Sequence, residues 1–239
     1  MSDKRPHAER MAEIVAARAP SLKKVGFRKR RHTFNRLADD GIVHMVTFWM
    51  APHEPAAWTE IPGLRTRRYG SFRIDFGIYV PEMNRMGSPR GAWINTYDCQ
   101  MRQTMGQLMG QSSGDLWWPV DDPDSSAKAS TVIETFGLPW LDRFMNDTSI
   151  ISTFEREGPF PVGLSPAGPL DVADLCAARG DTTRARSILE EYTSSPVNMG
   201  HIQYLTSFLE ARGHSDLVSR ITVPPHHIVD MTDPYRQKA

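Results

Sequence analysis

The sharpest chemical feature of this 239-residue chain is a short basic run, in which Lys24, Arg28, Lys29, Arg30, Arg31 and Arg36 crowd together just after Lys23. Such a run suits anion binding, because each cation that meets a phosphate oxygen releases a condensed counterion. Phe27, His32, Phe34 and Trp49 lie in or close to it. Flat rings beside cations suit a phosphate backbone that carries bases. The alternative is a solvated sheet edge, where charge discourages edge-to-edge pairing. The acidic stretch from Asp115 to Asp124 offers internal neutralisation.

A second set of polar residues comprises Arg73, Asp75, Tyr79, Asp98 and Arg102. These are the polar positions of two expected strands. A polar sheet face can line a pocket, so an enzyme site assembled from separated residues would be sought here. Ordinary cross-strand ion pairing is the competing explanation.

Known catalytic spacings are missing from the sequence. None of the eight histidines stands in an HExxH arrangement, and there is no CxxC pair. No Walker-type loop, GxGxxG or GxSxG elbow occurs. Cys99 and Cys176 sit far apart and read as buried free thiols. The sequence therefore assigns no catalytic residue, cofactor or metal.

The elements that must position these groups are organised around YGSFRIDFGIYV, Tyr69 to Val80. Phe72, Ile74, Phe76, Ile78 and Val80 alternate with Ser71, Arg73, Asp75, Gly77 and Tyr79, the period of a half-buried strand. Phe27 to Leu37 reads as a first strand, Asp39 to Gly41 as a turn, and Ile42 to Met50 as the returning strand. Ala92 to Met101 reads as a fourth strand, and LWWPV as a short fifth or edge. A helix is expected from Pro6 to Ala19, interrupted at Pro20, with Ser21 capping a continuation that Gly26 closes. The helix after Asp124 is expected to be broken at Gly137 and Pro139.

Proline and glycine are dense from Glu157 to Pro169, which marks a boundary. The expected organisation is an α+β domain over 1–157, a helical-hairpin extension over 169–223 and an extended or disordered tail over 224–239. Leu175 to Leu189 echoes Phe208 to Thr222, pairing Ala178, Arg179 and Gly180 with Ala211, Arg212 and Gly213. The spacing is close to that of tetratricopeptide helix-turn-helix units. It leaves open whether these helices bind peptides or only pack.

Lys plus Arg equals Asp plus Glu, at 28 each, so any case for nucleic acid rests on the local run rather than global charge. With 40% apolar and 23% charged residues the chain suits a folded protein. No run approaches the ~18 apolar residues needed to cross a bilayer. The start has no apolar core of signal-peptide length, and a soluble cytoplasmic protein with no membrane partner is expected.

Taken in order, LKKVGFRKRRHTFNR, GIVHMVTFWM, FRIDFGIYVPE, CQMRQTMGQLM, LWWPV and FGLPWLDRF resemble the bacterial family called domain of unknown function 4304. The resemblance covers about Pro6 to Phe144. It implies an α+β fold with an antiparallel sheet and supplies no catalytic residues.

The fold class expected is thus α+β: an antiparallel sheet of about four to five strands packed by helices, with a C-terminal all-helical extension. The function expected first is a non-enzymatic interaction or binding module whose partner is another protein. Binding of nucleic acid or another anion through the basic first strand is the alternative, and an enzyme on the polar sheet face the second.

Overall fold

A computed structural model describes residues 6–51, 68–83, 93–110, 116–195 and 199–222. The connection over 58–67 and the tail over 224–239 lie outside the described residues. The fold is α+β, built on an antiparallel sheet with a helical C-terminal part. The chain divides into two compact units, Met1–Asp171 and Val172–Ala239.

In the first unit the strands are β1 (Arg28–Arg30), β2 (Thr33–Leu37), β3 (Val43–Met50), β4 (Ser71–Tyr79), β5 (Met101–Thr104) and β6 (Trp118–Pro119). The order is β1-β2-β3-β4-β5, with β6 also pairing with β4. β4 is therefore bonded on both sides, as its alternation predicts. Phe72, Ile74, Phe76 and Ile78 are each fully buried. Register places them opposite Met50, Phe48, Val46 and His44 of β3, and Phe34 lies opposite Val46. Phe34, Phe48 and Phe72 follow one another across this face at ring separations of 6.1 and 6.3 Å.

Helices cover that apolar face. α1 (His7–Lys24) buries Met11, Ile14, Val15 and Leu22. The expected interruption at Pro20 does not occur; the helix runs through it. The carbonyl that Pro20 leaves without a helical donor is that of Ala16, on the exposed side of the helix where water can reach it. Ser21 caps nothing, since its hydroxyl donates to the Arg18 carbonyl at 3.0 Å. Gly26 does close the helix, at φ 91°, with Phe27 N–H returning to the Leu22 carbonyl at 3.0 Å.

Three further sequence expectations need correction. The stretch Phe27 to Leu37 is not one strand but a hairpin, with Arg31 and His32 at its tip. The stretch expected as a fourth strand, Ala92 to Met101, is not one over its described residues from Trp93: Thr96–Asp98 is a 3-10 turn, and the strand begins only at Met101. Asn95 and Asp98 cap each other there, with Asn95 N–H donating to Asp98 Oδ2 at 2.8 Å. The proline-rich stretch from Glu157 to Pro169 belongs to the first unit. Its Gly163 carbonyl accepts from Arg102 N–H at 2.7 Å and so covers the outer edge of β5.

The helix after Asp124 does change character. α3 (Ser125–Val132) passes through a π-turn, Ile133–Gly137, into α4 (Leu138–Asp142). A Cβ at Gly137 would overlap the Phe76 ring, so glycine brings the helix down onto β4. α2 (Met105–Leu108) and α5 (Asp147–Glu157) complete the set before α6 (Gly168–Ala178), in which the division between the units falls.

In the second unit α7 (Thr182–Ser194) and α8 (Met199–Ala211) follow. The echo holds at its turns: Gly180 and Gly213 have φ of 83° and 75°. The Asp181 side chain accepts from Arg184 N–H at 3.0 Å and starts α7. In the second copy His214 makes no side-chain cap, and only a 3-10 turn, Ser215–Arg220, follows. The second hairpin is thus incomplete among the described residues.

Candidate anion and ring pocket at the hairpin tip

β2 begins at Thr33, opposite Thr47, while β3 runs on to Met50. Where β2 stops, the edge of β3 forms a notch. A cavity of about 790 Å³ opens in it. Its walls combine the hairpin tip (Lys29, Arg31, His32), the strand end (Phe48, Trp49, Met50) and the 3-10 turn (Thr96, Tyr97). This volume lies within the usual range for small-ligand sites.

The tip is held in place by one backbone bond, Phe48 N–H to the His32 carbonyl at 3.0 Å. Arg31 has φ 54°, a left-handed conformation that costs a non-glycine residue about 1–2 kcal/mol. Such cost is commonly retained where a side chain must be presented. Burial, and the nearby Lys29 cation, lower the pKa of His32 below its ordinary 6.5.

The ring wall is built by a different device. Asn35 on β2 reaches across to the chain before the 3-10 turn. Its Nδ2 donates to the Ile94 carbonyl at 3.1 Å, and Ile94 N–H donates to its Oδ1 at 3.0 Å. These two bonds mimic a strand pairing and hold Ile94–Cys99 over the polar face of the sheet. Met45, Tyr79, Ile94 and Cys99 then form a small buried cluster. Burial pushes the Cys99 thiol well above its ordinary pKa, so it is an inert packing group. Tyr97 projects from this segment, 81% exposed. Its ring meets Trp49 edge-on at 6.1 Å.

From Trp49 the row continues along the same face. Arg73 lies opposite Trp49 in register, and its guanidinium stands 5.4 Å from the Trp117 ring. Arg68 reaches the same ring at 5.1 Å. Rings and cations therefore alternate outward from the cavity.

Of the six basic residues singled out by sequence, Lys29 and Arg31 line the cavity. Arg28 and Arg30 are exposed and point to the other side of β1 from Lys29; Lys24 is exposed at the end of α1. Arg36 is engaged internally. It pairs with Asp142 at 2.5 Å, donates to His44 Nδ1 at 2.8 Å and stacks over Phe27 at 4.9 Å.

The second sequence-derived set does not converge. Arg73 and Asp75 do meet at 3.0 Å, with Asp75 buried opposite Thr47 and Thr104. Tyr79 belongs to the apolar cluster, Asp98 caps its own turn, and Arg102 is exposed on a separate shallow cavity beside Phe160 and Gly163. Residues that sequence reasoning missed are Thr33, Asn35, Asn95, Thr96 and Tyr97. Only the Asn95–Asp98 spacing carried a local signal, that of a capped turn.

Among the described residues no group of three or more His, Cys, Asp or Glu side chains is arranged to hold a metal ion, and no helix is long and apolar enough to cross a membrane. In comparisons with known proteins, the chain matches no family model, no curated protein and no solved structure.

Proposed function

We propose that the first unit is a non-enzymatic binding module for an anionic ligand, held at the tip of the β1–β2 hairpin. The observation that carries this reading is that Lys29, Arg31 and His32 share one cavity with Trp49 and Tyr97. A protein partner with an acidic surface would meet the same cations but leave the ring-lined cavity unfilled. An enzyme would need a converging set of reactive groups; of the five polar residues, Arg73 and Asp75 pair with each other, Tyr79 packs, Asp98 caps a turn and Arg102 is exposed elsewhere. We also propose kinship of residues 6–144 with the domain of unknown function 4304 family, on the order of the motifs; a member with a different strand order would overturn it.

The test is fluorescence anisotropy with a labelled abasic deoxyribose-phosphate strand, which carries the charge without bases. Binding is expected at low salt. The plot of log affinity against log salt should have a slope of about −0.7 per phosphate contacted, hence on the order of −1 to −2 for two cations. Arg31→Asn suits the left-handed backbone and keeps the turn; it and Lys29→Ala should each weaken binding several-fold. Lys24→Ala, the same loss of charge outside the cavity, should not. No binding at low salt, or equal affinity in Arg31→Asn, would sink the reading.

A further inference from the structure

We infer that the anion is a single-stranded nucleic acid, with one unpaired base seated in the cavity against Trp49 and Tyr97. This rests on the anion reading above and goes beyond it in naming the ligand. Three observations carry it. The cavity is too apolar for a bare anion: Ala12, Phe48, Trp49, Met50 and Tyr97 contribute to its lining alongside the two cations. A free phosphate would use only the tip, whereas a nucleotide unit fills both parts, with phosphate at Lys29 and Arg31 and ring on ring at the far wall.

The second observation is the exposure of Tyr97. A tyrosine side chain left 81% in solvent, on a segment held down by paired hydrogen bonds from Asn35, is positioned without being used for packing. Its edge-on contact with Trp49 covers one face of one ring only, and a base can stack on a face left uncovered, since every base has a π face. The third is the continuation of rings and cations through Arg73 and Trp117 to Arg68. A strand leaving the cavity meets a second ring with cations on it, the alternation that tracks a backbone and stacks successive bases.

Pairing excludes this mode. A base within a duplex has both faces covered by its neighbours, so it can reach a ring in a notch only after unstacking. The polar lining, Thr33, Thr47, Asn95 and Thr96, offers donors and acceptors to the exposed base edge. Thr33 and Thr47 already share a hydroxyl hydrogen bond of 2.5 Å, which keeps their orientation defined.

The experiment compares three labelled ligands with equal numbers of phosphates at one salt concentration: a thymidine strand, an abasic strand and a thymidine–adenine duplex of half the length. The thymidine strand is expected to bind most tightly and to quench tryptophan fluorescence. Tyr97→Ala should cost it roughly 5- to 150-fold, the span for one stacked base, and leave the abasic strand unaffected. Tyr97 is solvent-exposed, so its removal leaves the fold intact, which the circular dichroism spectrum would verify. Equal affinity for abasic and thymidine strands overturns the base-stacking inference and leaves the anion reading standing, as does equal affinity for the duplex. Binding of none of the three overturns both.

Discussion

His44 lies in the middle of β3, fully buried, and each of its ring nitrogens has one partner. Nε2 donates to the Phe144 carbonyl at 2.9 Å, so Nδ1 is the acceptor for Arg36 at 2.8 Å. The ring is therefore neutral. Burial is the main cause that brings its pKa from 6.5 to about 4; the Phe144 carbonyl opposes this, and the Arg36 cation adds to it. Since the unfolded chain takes up this proton near pH 6.5 and the folded chain only near 4, the stability His44 contributes is complete above about 6.5. It is lost progressively as pH falls toward 4, by on the order of 3 kcal/mol. Urea unfolding between pH 7 and 4 should show this slope, and His44→Gln should flatten it. A His44 resonance that titrates near 6.5 in the folded protein would refute the assignment. The sequence places a histidine in a strand and suggests a satisfied core group. Arg36 is the cross-strand neighbour of His44 in the β2–β3 pairing, whereas Phe144, a hundred residues on, becomes a partner only once α4 and the loop after it are packed.

At the scale of elements, the determining contrast is between what periodicity encodes and what it leaves silent. The alternation of β4 is legible because each of its side chains faces either a helical layer or the polar side, with period two. The Asp39–Gly41 turn is legible because Asp40 and Gly41 both take positive φ, at 54° and 75°. The break at Arg31–His32 carries no such signal: neither residue is a glycine, proline or asparagine, and the turn is imposed by pairing of β1 and β2. The hold of the Ile94–Cys99 segment on the sheet is also silent, although its Asn95–Asp98 turn is not, because that hold comes through a side chain, Asn35, rather than a strand ladder. Asn35→Ala should strip two hydrogen bonds from Ile94 and cost about 1–3 kcal/mol, by leaving backbone groups unpaired against the sheet. Denaturant melts would measure that loss. Hydrogen exchange should quicken at Ile94, and single-strand affinity should fall with it as Tyr97 loses its position. Unchanged exchange at Ile94 would show that the packing of Met45 and Cys99 suffices without Asn35.

At the scale of the whole molecule the chain comprises two compact units. The cavity and its ring row lie wholly in the first. In the second, Arg212 ties α8 to α6 by gripping Asp174, with Nη2 to Oδ2 at 2.7 Å, while its guanidinium stands 3.7 Å over the Phe208 ring. An exposed ion pair and a cation–ring contact are each worth up to about 1 kcal/mol. Arg212→Ala should therefore lower the stability of the second unit by about 1–2 kcal/mol, seen as faster amide exchange in α6 and α8. Affinity for the thymidine strand should be unchanged. A fall in affinity with this variant would mean that the second unit takes part in binding.

By itself the sequence determined the class of fold, the apolar face of β4, the presence of a basic run and the glycine-closed turns of the second unit, because each follows from local periodicity or from backbone conformations that few residues adopt. Which cations line the cavity was decided only by the tertiary structure. Folding the basic run back on itself turns Arg28 and Arg30 away from Lys29 and engages Arg36 with Asp142 and His44, while Lys29 and Arg31 come to line one cavity with rings from two other parts of the chain. That convergence depends on register and side-chain bridging across the sheet, and no spacing along the sequence encodes either.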